Sequence, residues 1–90
     1  MLSDTELNSP AVVRSSGKPL GYNAGEATKE TRFPTLRMAL EWSEDQLMAD
    51  PTFLVFGIDH AATDRPLLEL HRYIEEMQRR GFDPVEPTSI

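Results

Sequence analysis

The segment Phe53–His71 contains the side chains best suited to chemistry in this chain. It reads FLVFGIDHAATDRPLLELH, an apolar run that stops at Gly57 and is followed by an acid and a histidine. Ligand sites in α/β folds gather where strands end and helices begin. Asp59, His60 and Asp64 could therefore hold a divalent metal ion. In a catalytic version of this site, His60 would be the general base and Asp59 would orient it.

The same segment also has a purely structural interpretation, as a turn that leads into a helix. Gly57 and Asp59 would shape the turn, and Thr63 or Asp64 would cap the helix through a side-chain oxygen. The closely spaced histidines and the glutamate of known metallohydrolase motifs are missing from it. We favour the structural interpretation and keep a metal- or small-ligand-binding domain, which could be an enzyme, as the alternative.

The other motifs give no support for catalysis. The chain has no cysteine, which excludes a thiolate zinc site and a thiol nucleophile. Gly17 and Lys18 lie in a glycine-rich stretch, but Pro19 prevents the helix that a phosphate-binding loop requires. The Gly-x-Ser-x-Gly elbow of serine hydrolases is also missing. We therefore expect no cofactor and lean towards a protein without catalytic activity of its own.

The net charge of −6 is concentrated in the middle of the chain. Residues 34–62 carry Arg37 as their one basic residue and five acidic residues. Nucleic acids and anionic membranes are bound through clustered lysines and arginines, so neither is an expected partner. The apolar runs are too short to span a membrane, and the first residues do not resemble a signal peptide. These features favour a soluble cytoplasmic protein.

Two helices and a central strand are the clearest predicted elements. Pro34 and Thr35 begin a helix over residues 35–49, which must end before Pro51 because a residue that precedes proline disfavours helical geometry. The run TFLVFGI predicts a strand over residues 52–58. Apolar residues at helical spacing predict a second helix over residues 65–80, with Gly81 as a left-handed cap.

The N-terminal third predicts a β-hairpin. Ala11–Arg14 and Leu20–Tyr22 would be its strands around the turn SSGK, and Thr31–Phe33 could add a short extended piece. The economical architecture is an α+β two-layer sandwich, in which a small, mostly antiparallel sheet carries both helices on one face. Residues 10–83 would form this single domain, between a flexible arm at residues 1–9 and a flexible tail at residues 84–90.

The helix over residues 35–49 carries an acidic surface beside a tryptophan. We define the acidic helix face by its carboxylates, Glu41, Glu44, Asp45 and Asp50. Trp42 lies next to it, and tryptophan at the rim of a charged surface often anchors an interface. Tyr22 is a further candidate contact on the predicted edge strand.

These features favour a small interaction or regulatory module. Its partner would be a protein, most simply a basic one, and a homodimer is one form that the module could take. An acidic inhibitor or a mimic of nucleic-acid charge would be a special case of the same class.

Overall fold

The computed structural model describes residues 2–16 and 28–85. Their elements, in chain order, are α1 (Asp4–Leu7), β1 (Ala11–Ser16), β2 (Thr28–Phe33), α2 (Leu36–Ala49), β3 (Val55–His60), β4 (Pro66–Leu68) and α3 (Leu70–Arg79). The strands form one antiparallel sheet in the order β2-β1-β3-β4. The predicted α+β class is confirmed. Within the described ranges, no helix is long and apolar enough to cross a membrane.

The two longer helices divide the sheet between them. Helix α2 contacts β1 and β2, while α3 contacts β3 and β4. Alternate strand residues point to the same face, so Ala11 and Val13 of β1 and Ile58 of β3 meet the helices. The core lies between these layers, and its helical members are Leu36, Ala39, Leu40, Leu47, Tyr73, Ile74 and Met77.

The partner of β1 is β2, over the whole length of both strands. The register runs from Ala11 opposite Phe33 to Ser16 opposite Thr28. The extended piece predicted at Thr31–Phe33 is therefore the end of a six-residue strand. The expected hairpin strand Leu20–Tyr22, and Tyr22 with it, lies outside the described residues.

The central strand lies later in the chain than residues 52–58. Residues 50–53 form a turn instead, in which the Asp50 carboxylate accepts hydrogen bonds from the Thr52 N–H at 3.0 Å and the Thr52 hydroxyl at 2.7 Å. These two bonds also lower the pKa of Asp50. At its other end, the strand continues through Asp59 and His60 because β1 pairs with both.

The prediction of a helix from residue 65 is wrong at its start. Pro66–Leu68 forms β4, in which Leu68 pairs with Ile58 of β3, and α3 begins only at Leu70. The N-cap of α3 is Glu69, so the predicted cap at Thr63 or Asp64 is also wrong. Asp64 instead adopts a left-handed conformation, with φ of 58°, in the turn between β3 and β4.

Both ends of α2 and the end of α3 agree with the sequence analysis. The Thr35 hydroxyl caps α2 by accepting a hydrogen bond from the Met38 N–H at 3.2 Å. Helix α2 stops at Ala49, one residue before the Asp50–Pro51 pair. Gly81 follows α3 with φ of 95°, a conformation that glycine adopts without strain.

The N-terminal segment, which we expected to be a flexible arm, contains the short helix α1. Ser3 and Glu6 form a reciprocal capping box at its start. Leu2 and Leu7 pack against the core, and the Leu36 N–H donates to the Ser9 carbonyl at 2.7 Å. Because these contacts are with residues distant in sequence, the lack of periodicity in residues 1–9 gave no sign of them. At the other end, residues 86–90 of the expected tail lie outside the described residues.

Candidate functional site

Asp59, His60 and Asp64 do not converge on a common point. Neighbouring residues of a strand point to opposite faces, so Asp59 and His60, both in β3, diverge. The Nδ1 atom of His60 accepts a hydrogen bond from the Ala62 N–H at 3.1 Å, and Asp64 is exposed. In residues 2–16 and 28–85, no three histidine or acidic side chains are grouped so as to hold a metal ion.

Asp59 is the partner of an arginine on the sheet face away from the helices. Its Oδ2 atom lies 3.0 Å from Nε of Arg14, which belongs to the neighbouring strand β1. Gly57 makes room for this arginine, because a Cβ atom at Gly57 would lie 2.8 Å from Arg14 Nη2. The turn-forming role predicted for Gly57 and Asp59 is therefore wrong, since both lie within β3 and accommodate Arg14.

The acidic helix face is divided by the fold. Glu44 is half-buried and forms an ion pair with Arg80, which follows α3. Arg80 also binds Glu76, with Nε 3.0 Å from Oε2. Burial alone would lower the pKa of Arg80, but the two carboxylates outweigh it and raise the pKa above its ordinary value. Glu44 therefore links the two long helices and is not free for a partner.

Replacing Arg80 with methionine should lower the free energy of unfolding by about 1–3 kcal/mol. Methionine keeps much of the apolar stem but leaves Glu44 and Glu76 without their shared cation. Urea denaturation at neutral pH measures the loss. Arg79→Met is the matched control, because Arg79 is exposed and should tolerate the change within about 0.5 kcal/mol. Equal effects of the two variants would show that the link between α2 and α3 contributes nothing.

Glu41 and Asp45 remain exposed, and two methionines accompany them. Met38 and Met48 expose 47% and 74% of their surface, which makes them two of the three large exposed hydrophobic residues in the described ranges. Residues 38, 41, 45 and 48 follow one another at intervals of three, four and three residues, so their side chains share one side of α2. We call Met38, Glu41, Asp45 and Met48 the exposed α2 face. The charge pattern indicated its acids, but the exposure of its methionines appears only in the fold.

Trp42 packs between two phenylalanines on a flank of α2. Its ring centroid lies 5.3 Å from that of Phe33 at the end of β2, and 5.6 Å from that of Phe53 in an edge-to-face arrangement. All three rings are half-buried. The tryptophan thus joins α2 to the β2 side of the sheet, and only part of its ring remains available to a partner.

Two polar side chains lie inside the core between α2 and α3. Ser43 is fully buried, and its hydroxyl donates to the Ala39 carbonyl at 2.9 Å. The Tyr73 hydroxyl has no hydrogen-bond partner among the described residues. Burial raises the pKa of Tyr73 to about 12. Neither group can reach a substrate, so we assign them a structural role.

A small pocket lies between the N-terminal segment and α3. Its volume is about 40 Å³, and its lining residues are Leu2, Leu68, Arg72, Glu75, Glu76 and Arg79. Pockets for small ligands usually hold roughly 300–1,000 Å³. This one has room for only a few water molecules, which is too little for a substrate.

Comparison with known proteins identifies no relative from which a function could be transferred. The chain matches no protein-family model, and it has no significant match among curated proteins or solved structures. Any assignment of function therefore depends on the chemistry of the surfaces described above.

Proposed function

We propose that this protein is a small interaction module that binds a protein partner through the exposed α2 face. The observation that carries the proposal is the combination of exposed carboxylates and exposed methionines on one side of a helix. The partner that fits this surface has basic side chains beside apolar ones. Chain-wide acidity, with a net charge of −6, would favour the approach of such a partner.

The two methionines give this face more than a solubilising role. Met38 and Met48 are ten residues apart, or about 15 Å along the helix. Methionine side chains are flexible and polarisable, and they adapt to the shape of an apolar partner. Glu41 and Asp45 lie between them and form no ion pair with any other residue in the described ranges. Apolar contacts at both ends of this face would fix the position of the partner, and the carboxylates in the middle would select a partner of positive charge.

The proposal predicts that reversing two charges weakens partner binding. Glu41→Lys combined with Asp45→Lys should weaken the affinity for a basic partner by at least tenfold, because attraction becomes repulsion at the centre of the contact. Affinity capture with the wild-type chain identifies the partner, and titration calorimetry with that purified partner measures the change. Glu44 is left unchanged, since its reversal would disrupt the ion pair with Arg80.

A second double variant controls for the total charge. Glu69→Lys combined with Glu75→Lys makes the same change of charge at exposed positions beside and on α3. Binding through the exposed α2 face requires the control to retain near wild-type affinity. If both double variants weaken binding equally, the attraction is a long-range effect of net charge. The proposed surface is then refuted.

A further inference from the structure

We propose that β2 is a dimerisation edge, on which a second copy of this chain adds its own β2 strand antiparallel. The two copies would be related by a two-fold axis through the Thr31 pair, giving a continuous eight-stranded sheet. Isologous contacts of this kind use the same patch on both subunits. The inference does not depend on the partner proposed above. The strand residues that carry it lie outside the exposed α2 face, with which the dimer contact shares only Met38, and it needs no other protein.

The backbone of β2 has an outer side that no described strand covers. The sheet order places β2 at one edge, with β1 on its inner side. The His60 N–H donates to the Arg65 carbonyl and the Ala61 N–H to the Pro10 carbonyl, which sets the alternation of backbone groups across the sheet.

The same alternation continues along β1, so the backbone N–H and C=O groups of Ala11 and Val13 are directed to β2. The backbone groups of their partners, Phe33 and Thr31, therefore point inward to β1. The groups of Glu30 and Arg32 point outward, as a free strand edge requires for pairing.

The side chains of β2 are complementary to themselves in one antiparallel register. With Thr31 opposite Thr31 of the second copy, Glu30 lies opposite Arg32 and Arg32 opposite Glu30. Two oppositely charged pairs then form on the sheet face away from the helices, and such cross-strand pairs stabilise a sheet. Both side chains are exposed, and neither forms an ion pair within the described ranges.

The hydroxyl of Thr31 would gain a partner at the two-fold axis. Its Oγ1 atom is shielded from solvent but has no hydrogen-bond partner among the described residues. In the proposed register, the Thr31 pair is of the non-hydrogen-bonded type, in which side chains come closest. Threonine pairs across strands can join their hydroxyls in this position. The Thr31 hydroxyl, which lacks a hydrogen-bond partner in one copy, would thus find one in the Thr31 hydroxyl of the second copy.

Helix α2 can extend the contact beyond the strand pair. Trp42 packs on Phe33 of β2, so that flank of α2 lies above the same edge of the sheet. Met38 is one helical turn before Trp42 and nearly half exposed. The copies of Met38 and Trp42 would approach each other across the axis and add apolar area to the backbone hydrogen bonds.

Sedimentation velocity of the full chain over a range of concentrations tests this inference. The monomer mass is 10.2 kDa, and the expected result is a concentration-dependent shift to twice that mass. Charged side chains on an edge strand are also a common defence against association. If the chain stays monomeric up to millimolar concentration, the charges on β2 prevent association, and the inference is overturned.

Two single reversals test the register. Arg32→Glu places acid opposite acid at two points of the interface, and Glu30→Arg places base opposite base. Each variant alone should dimerise at least tenfold more weakly than the wild type. An equimolar mixture of the two should recover the dimer, because every contact again joins opposite charges. Circular dichroism of each variant shows that it is folded before the measurement.

Reversals away from the edge provide the matched control. Arg79→Glu and Glu75→Arg introduce the same charges at exposed positions of α3, which contacts β3 and β4 on the other side of the sheet from β2. Their dimerisation, alone and mixed, should equal that of the wild type. A dimer that survives Arg32→Glu unchanged uses a different surface. Recovery on mixing in the control pair would show that net charge alone drives it. Either result refutes the proposed edge.

Discussion

An Ile58→Ala variant should lose about 2–5 kcal/mol of its free energy of unfolding. Ile58 is fully buried on β3, where it pairs with Val13 of β1 and Leu68 of β4. Truncation to alanine removes apolar contacts that three strands share, and it leaves a cavity that a packed core fills poorly. A domain of this size has a total stability of about 5–13 kcal/mol, so the loss is a large part of the whole.

Urea denaturation followed by tryptophan fluorescence measures this loss. Ile58→Val removes one methylene group and should cost about 0.5–1.5 kcal/mol. Met48→Ala is the exposed control, and it should change stability by less than about 0.5 kcal/mol. If Ile58→Ala cost no more than Met48→Ala, the centre of the core would have to lie elsewhere.

Raising the pH from 10 to 12 should remove about 2 kcal/mol of stability through the ionisation of Tyr73. Burial raises the pKa of Tyr73 from its ordinary 10.0 to about 12 in the folded chain. The unfolded chain therefore loses this proton at a lower pH than the folded chain does. The contribution of Tyr73 to stability is complete below pH 10, and it is lost as the pH rises through 12. The size of the loss follows because a tenfold difference in proton affinity between the folded and the unfolded chain corresponds to about 1.4 kcal/mol.

Tyr73→Phe isolates this effect from the other groups that titrate in strong base. The variant cannot ionise at this position, so its stability should fall less than that of the wild type between pH 10 and 12. At neutral pH the two proteins should be nearly equal in stability, since the removed hydroxyl makes no hydrogen bond in the described structure. Parallel curves of stability against pH for the two proteins would contradict the assignment. Denaturation by urea at several pH values provides both curves.

The elements whose ends have local causes are the ones that the residue pattern predicts best. Helix α2 follows directly from the hydroxyl of Thr35, the periodic leucines and the stop before Pro51, all within one short segment. The left-handed conformation of Gly81 also has a local cause, the glycine itself. Strand β2 has no such signal, because TKETRF is mostly polar and becomes a strand only by pairing with β1. Strand β4 likewise depends on β3, and it interrupts a pattern that was helical by periodicity alone.

The candidate sites show the same division. The acidic residues of α2 were visible in the sequence, but the separation of Glu44 from Glu41 and Asp45 was not. Arg80 lies 36 residues from Glu44 in the chain, and only the packing of α2 against α3 brings them together. The turn around Asp59 and His60 suggested convergent ligands, whereas strand geometry sends the two side chains to opposite faces.

By itself, the sequence determined the class of fold, the limits of α2, the end of α3 and the acidity of the middle of the chain. These properties depend on composition and on contacts within a few residues. The tertiary structure alone decided which strand borders β1, which carboxylates are neutralised and which methionines reach the surface. Each of those outcomes depends on residues far apart in the chain, whose pairing is chosen by the burial of the whole core and not by any local pattern.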